Sequence, residues 1–171
     1  YHHENTSAPE TDYLNLNDDG ATADDAGFWN DTAPTSTVFS VGNNAAVNTA
    51  SDTYGFLAFA EVPGFSKFGS YTGNLSTDGP FVWCGFKPRW VLIKALSTGV
   101  NWHIFDTERI TFNPVDDKLR PNRSAAEAVA EIIDITANGF KARTNSAAIN
   151  NTTTYVFAAF ADIPFKYARA R

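Results

Sequence analysis

The sequence predicts an all-β protein of mainly antiparallel strands, β-sandwich-like, with a pseudo-duplicated core and at most one short helix. Three observations carry this expectation. Fourteen Phe, six Tyr and four Trp, with no Met, favour sheet over helix, because planar side chains suit a pleated, half-buried surface. An aromatic stretch, residues 53–65 (TYGFLAFAEVPGF), returns as residues 154–165 (TYVFAAFADIPF). Between two further apolar runs, Asn138-Gly139 is a strong hairpin-turn signal.

The duplicated stretch organises the rest. Tyr54, Phe56, Phe59 and Pro63 find Tyr155, Phe157, Phe160 and Pro164 at one constant offset, and Phe39 and Asn44 find Phe140 and Asn145 at the same offset. Aromatic and small apolar residues closed by an acid and a proline read as a strand that ends where proline removes the ladder donor. Tyr54, Phe56, Phe59, Tyr155, Phe157 and Phe160 are therefore the expected structural core. The chain is read as one domain of two quasi-repeats, about residues 1–73 and 79–171, since 171 residues with 43% apolar content suffice for one core.

Taken in order, residues 1–3 fall where Val91 to Ile93 fall in the second unit, and residues 12–17 fall where residues 101–106 fall. Nothing before Tyr1 matches residues 79–90. The first unit is thus expected to lack its opening strands, supplied by a longer precursor or a neighbouring chain, with this chain as the C-terminal part. Residues 18–30 read as an acidic loop, and residues 29–37, around Pro34, as a turn. Residues 38–41 are the strand preceding the first aromatic one. Residues 64–78 read as a long loop carrying Phe65, Phe68 and Tyr71, and long loops are often functional. Residues 79–94 give two strands broken at Lys87-Pro88, and residues 101–106 a third. Ser124 to Glu127 has capping-box spacing and predicts one short helix. Residues 132–135 and 140–144 return to strand.

Charge and ionisable residues narrow the function classes. Thirteen basic against 19 acidic residues give a net charge of −6, which argues against a nucleic-acid groove. No apolar run approaches the roughly 20 residues of a membrane helix. Cys84 is the single cysteine; in its apolar setting, FVWCGF, it reads as a small buried hydrophobe. His2 and His3 are adjacent and diverge on any strand, and His103 reads as a structural histidine without a nucleophile beside it. Asn15, Asn17 and Asp19 sit at alternate positions like the opening of a calcium loop, but the twelfth position is Ala26, not Glu; no metal and no cofactor are expected. Asn-x-Ser/Thr triplets begin at Asn5, Asn30, Asn74, Asn122, Asn150 and Asn151, as abundant Asn, Ser and Thr would produce. Trp83 and Trp90 are expected in the core, and Trp29 at the surface. No catalytic residue emerges.

The segments WNDTAPTSTVFSVG, AFAEVPGFSKFGSYTGN, STDGPFVWCGFKPRWVLIK, NWHIFDTER, FNPVD, NGFKARTN and AFADIPFKYARAR together resemble an uncharacterised C-terminal domain of structural proteins of marine tailed phages, tail-fibre and tail proteins among them. The resemblance runs through most of residues 29–171, and AAEAVAE departs from it by being more helix-prone. It implies a non-enzymatic virion component, a tail-fibre or tail-associated surface domain exposed on the extracellular particle. Its partners would be other copies of itself, trimeric as fibres often are, other virion proteins, and a host-surface glycan; Trp29, Phe68 and Tyr71, aromatic residues of the expected loops, are the candidates to meet it. A capsid decoration or head-fibre protein, and a secreted glycan-binding or glycan-cleaving domain, are the alternative readings.

Overall fold

The second aromatic stretch is a central strand, hydrogen-bonded on both edges, and the fold is built outward from it. The computed structural model describes residues 1–97 and 99–161. In chain order these form strands β1 (Asp12–Tyr13) and β2 (Ala23–Asp24), helices α1 (Ala26–Trp29) and α2 (Ala45–Asn48), and strands β3 (Ser66–Thr72), β4 (Phe81–Trp83), β5 (Pro88–Ala95), β6 (His103–Asp106), β7 (Val115–Lys118), β8 (Ala128–Thr136), β9 (Gly139–Ala142) and β10 (Thr154–Ala161). One four-stranded sheet has the order β3-β10-β5-β6 and the other β4-β9-β8-β7, with β1 and β2 as a small separate ribbon. Every pairing between these strands is antiparallel. The all-β, sandwich-like expectation holds.

Residue alternation decides which face of each strand is dry. Tyr155, Phe157 and Ala159 of β10 point inward beside their register partners Ala95, Ile93 and Val91 of β5. From the other sheet, Val82, Val115, Ile133, Ile135 and Phe140 complete the same core. Phe140 meets Phe157 edge to face with centroids 5.5 Å apart, and Tyr71 of β3 stacks on Tyr155 at 5.0 Å. Such ring pairs add specific geometry to the area they bury. On the outward face, Asp134 of β8 and Lys141 of β9 are register partners, and Asp134 also pairs with Arg143 just past β9.

The outer face of the β10 sheet is covered by the chain's own beginning. Thr22 N–H donates to the Leu96 carbonyl at 2.8 Å, and Lys94, fully buried, reaches the Asp19 carbonyl and that of Ala95. Residues 1–3 therefore lie across a sheet rather than within one. His2 and His3, expected to diverge, stack with centroids 5.2 Å apart.

Several expectations for the first unit are corrected. Residues 38–41 and 53–61 form no strand, the first pairing after them being an isolated bridge at Val62, and Tyr54, Phe56 and Phe59 are not core residues: they are 43%, 70% and 63% exposed. Tyr155 and Phe157 are buried as expected, and Phe160 is half-buried. The physical reason lies in pairing. β10 has β3 on one edge and β5 on the other, whereas residues 53–60 lie beside no such pair, and an apolar sequence without ladder partners leaves its backbone to water. The proline that closes the second copy, Pro164, lies outside the described residues.

Other corrections are local. Among the described residues there are two short helices, neither at 124–127, where the chain runs straight into β8. Both helices are capped by Asx side chains: Asp25 accepts from Gly27 N–H and Asn44 from Ala46 N–H, and the Asn44 amide donates to Asp25. Residues 64–78, read as a loop, contain β3. The turn at Asn138-Gly139 is present, and the Asn138 carbonyl accepts from both Cys84 and Gly85 N–H. Cys84 is buried, and burial pushes its thiol up to about 12.

Candidate functional site

The two long sides of the sandwich differ. On one, β6 and β7 are joined by a bridge in which Ile104 and Leu119 exchange both N–H···O bonds, at 2.8 and 3.1 Å. On the other, β3 and β4 are both edge strands and leave an open seam. That seam holds a groove of about 310 Å³ whose lining includes Lys67, Gly69, Tyr71, Phe81, Trp83 and Glu4.

Each wall follows from local sequence. Gly69 is the register partner of Phe157, and a Cβ there would meet the Phe157 ring at 2.9 Å, so glycine is what lets that ring fill the gap between the sheets. Tyr71 turns inward, and its OH donates to the Ile149 carbonyl at 2.7 Å. Opposite, Val82 is buried while its neighbours Phe81 and Trp83 are 48% and 60% exposed, a strict two-residue alternation. Trp83 was expected in the core and stands at the rim instead, its ring over Gly85, whose positive φ (81°) makes the bend that follows β4.

Charge at the seam is local and paired. Lys67 Nζ contacts both Glu61 oxygens, at 2.8 and 3.0 Å, and Phe68 N–H donates to the same carboxylate at 3.1 Å. Although burial alone would raise it, these bonds from Lys67 and Phe68 hold the Glu61 carboxyl below its ordinary value. Ser70 Oγ donates to Glu4 at 3.2 Å. Glu61 thus caps the outward edge of β3, where the chain from residue 62 starts a hairpin and then leaves it.

Above the outer face of β3, Phe59, Phe65, Phe68, Trp90 and Phe160 form a ring cluster with centroids 5.6 to 6.2 Å apart. Phe59 belongs to a longer exposed band with Phe56 and Leu57, and Phe39 packs on Phe56 at 5.0 Å.

The predicted contact residues fare unequally. Phe68 lies in the ring cluster beside the seam. Tyr71 belongs to the core wall of the groove rather than to a loop. Trp29 sits in α1, half-buried, with Nε1–H donating to the Asp12 carbonyl at 3.0 Å, so it is not grouped with the other two. Of the metal candidates, Asp19 pairs with Arg123 at 2.8 Å and the Asn15 amide donates to Asp18, while Asn17 is exposed; among the described residues no group of three or more His, Cys, Asp or Glu could hold a metal ion.

Elsewhere ionisable groups are enclosed. His103, Lys118 and Glu131 are 2%, 5% and 7% exposed; Lys118 contacts Glu131, which also accepts from Ser146 Oγ. This cluster lies between the sheets and opens on no groove residue named above. No helix among the described residues is long and apolar enough to cross a membrane.

Fold and seam together define an antiparallel two-sheet β module with one joined side and one open side. The chain belongs to the family described as domain of unknown function DUF7483, which matches residues 1–164. No curated protein and no solved structure matches it.

Proposed function

We propose that this chain is a bacteriophage virion structural module, a tail-fibre or tail-associated surface domain that helps to build the appendage and meets the host surface. The observation that carries this reading is an exposed apolar band together with two outermost strands: Phe56, Leu57 and Phe59 are 63–86% exposed, Phe59 packs on Phe68 of β3, and β3 and β4 each end a sheet. Contiguous apolar surface of this kind marks contact with another macromolecule, and a free edge is a template for added strands. The resemblance of segments such as NWHIFDTER and NGFKARTN to phage structural proteins favours a virion as the setting. Its partners are then copies of itself and other virion proteins, and its place is the particle surface. The role we propose is non-catalytic; glycoside cleavage in this groove would need a facing pair of carboxylates, and among the described residues lining it Glu4 is the sole carboxylate.

Immunogold labelling of purified particles with antibody to this chain tests the reading. Label on the tail supports it, label on the head supports the capsid-decoration alternative, and particles without the protein overturn both. Trp83 and Phe81 at the groove rim favour a glycan-binding role as the second reading, since exposed aromatic planes suit sugar faces. A glycan array probed with the native chain and Trp83→Ala decides it: binding that survives the substitution removes the groove from consideration.

A further inference from the structure

We propose that two copies of this chain associate by exchanging strands, residues 53–60 of each lying antiparallel on the free edge of β3 in the other. This goes beyond the virion reading and does not depend on it.

The internal repeat supplies the first argument. Residues 53–60 carry Tyr, Phe, Ala, Phe and Ala at the same spacing as β10. β10 gives hydrogen bonds on both edges and buries both faces, with β3 as one partner in the register Tyr155 to Tyr71 and Phe157 to Gly69. The segment therefore has a sequence already matched to a β3 edge in this very fold.

That segment also stands in solvent. Leu57 is 86% and Phe56 70% exposed, which is surface a monomer leaves in water at a cost proportional to its area. β3 is the outer strand of its sheet, and Val62 and Ser66 exchange N–H···O bonds at 3.3 and 2.9 Å, starting a hairpin along that edge. It stops after this one bridge, because the Glu61 carboxylate takes Phe68 N–H in place of a backbone carbonyl. A strand that approaches an edge through a short hinge at residues 62–66 and fails to complete the pairing in its own chain is the geometry from which domain exchange proceeds. The exchange is reciprocal, so a twofold pair satisfies both segments and both edges. It also covers Phe56 and Leu57 without altering either core.

Sedimentation velocity over a range of concentrations, combined with hydrogen exchange read by mass spectrometry, tests this on the chain as it is. The expected result is a dimer in which residues 53–60 gain exchange protection with increasing concentration. In Phe56→Asp/Leu57→Asp the dissociation constant should rise by at least about tenfold, a 1.4 kcal/mol change, with the monomer still folded because neither side chain enters the core. A monomer at all concentrations overturns the proposal, whether residues 53–60 exchange freely or are protected by a completed hairpin within one chain. A dimer that persists unchanged in the double variant overturns it too. Neither result bears on where the protein sits in a particle, so the two readings fail separately.

Discussion

Asn150 shows how one polar side chain can fix a loop. It is fully buried, and its amide donates to the Ser76 carbonyl at 2.7 Å, the Thr144 carbonyl at 2.8 Å and Asn74 Oδ1 at 3.1 Å, while its Oδ1 accepts from Asn74 N–H. The acceptor side chain of this Asn-x-Thr triplet is thus spent inside the protein, and Asn5, also buried, accepts from Thr22. Asn150→Ala orphans several backbone groups at once and should cost about 2–4 kcal/mol in urea denaturation. His103 gives a pH signature. Burial, then the charges of Lys118 and Arg120, lower it from 6.5 to about 3. A histidine kept neutral in the native state binds its proton in the unfolded chain first. Stability therefore falls as pH drops from about 6.5 toward 3, by about 2 kcal/mol between pH 7 and 5 from this group. Denaturation midpoints at those two pH values should differ less in His103→Gln than in the native chain, and an equal difference would remove His103 as the source.

Strands are legible in a sequence when burial imposes a pattern on them, and the elements here divide along that line. β4, β5, β6, β9, β10 and the second half of β8 carry apolar alternation or continuous apolar runs, and the structure places all of them as strands. β3 could not be read, because Ser66, Lys67, Gly69 and Ser70 carry no apolar period. It is a strand because β10 offers it an edge, a condition set elsewhere in the chain. The helix expected at 124–127 gives way for a related reason: β8 is held between β7 and β9, and paired neighbours outweigh the helix preference of a few alanines. Helices α1 and α2 were not expected: their caps Asp25 and Asn44 lie in stretches read as an acidic loop and a polar connection. The site was the least legible part, since Trp83 stands at the groove rim through the parity of a three-residue strand. The two aromatic copies offer a direct contrast. Phe157→Ala should cost about 3–5 kcal/mol, whereas Phe56→Ala in dilute protein should stay within about 0.5 kcal/mol. Thermal melts of the two variants measure this, and similar costs would restore Phe56 to a core.

At the scale of the whole molecule, near-identical aromatic sequences meet different fates in one chain, one at the centre of a sheet and one on the surface. Only context separates them: β10 arrives between two strands, and residues 53–60 arrive beside one. This is why duplication was readable from the residues and a duplicated architecture was not. It is also why the exposed copy is the feature on which the proposed strand exchange turns.

The Ile104–Leu119 bridge has a mechanical corollary. A two-leaved body stitched down its spine and loose at its fore-edge will breathe from the loose margin. Outward amides of β3 and β4 should exchange with solvent well ahead of those in β6 and β7, though all four are outermost strands. Whatever settles at the fore-edge therefore stiffens the leaf that had most freedom to lose, and a binding event there would be felt as damping throughout β3 and the strand beside it.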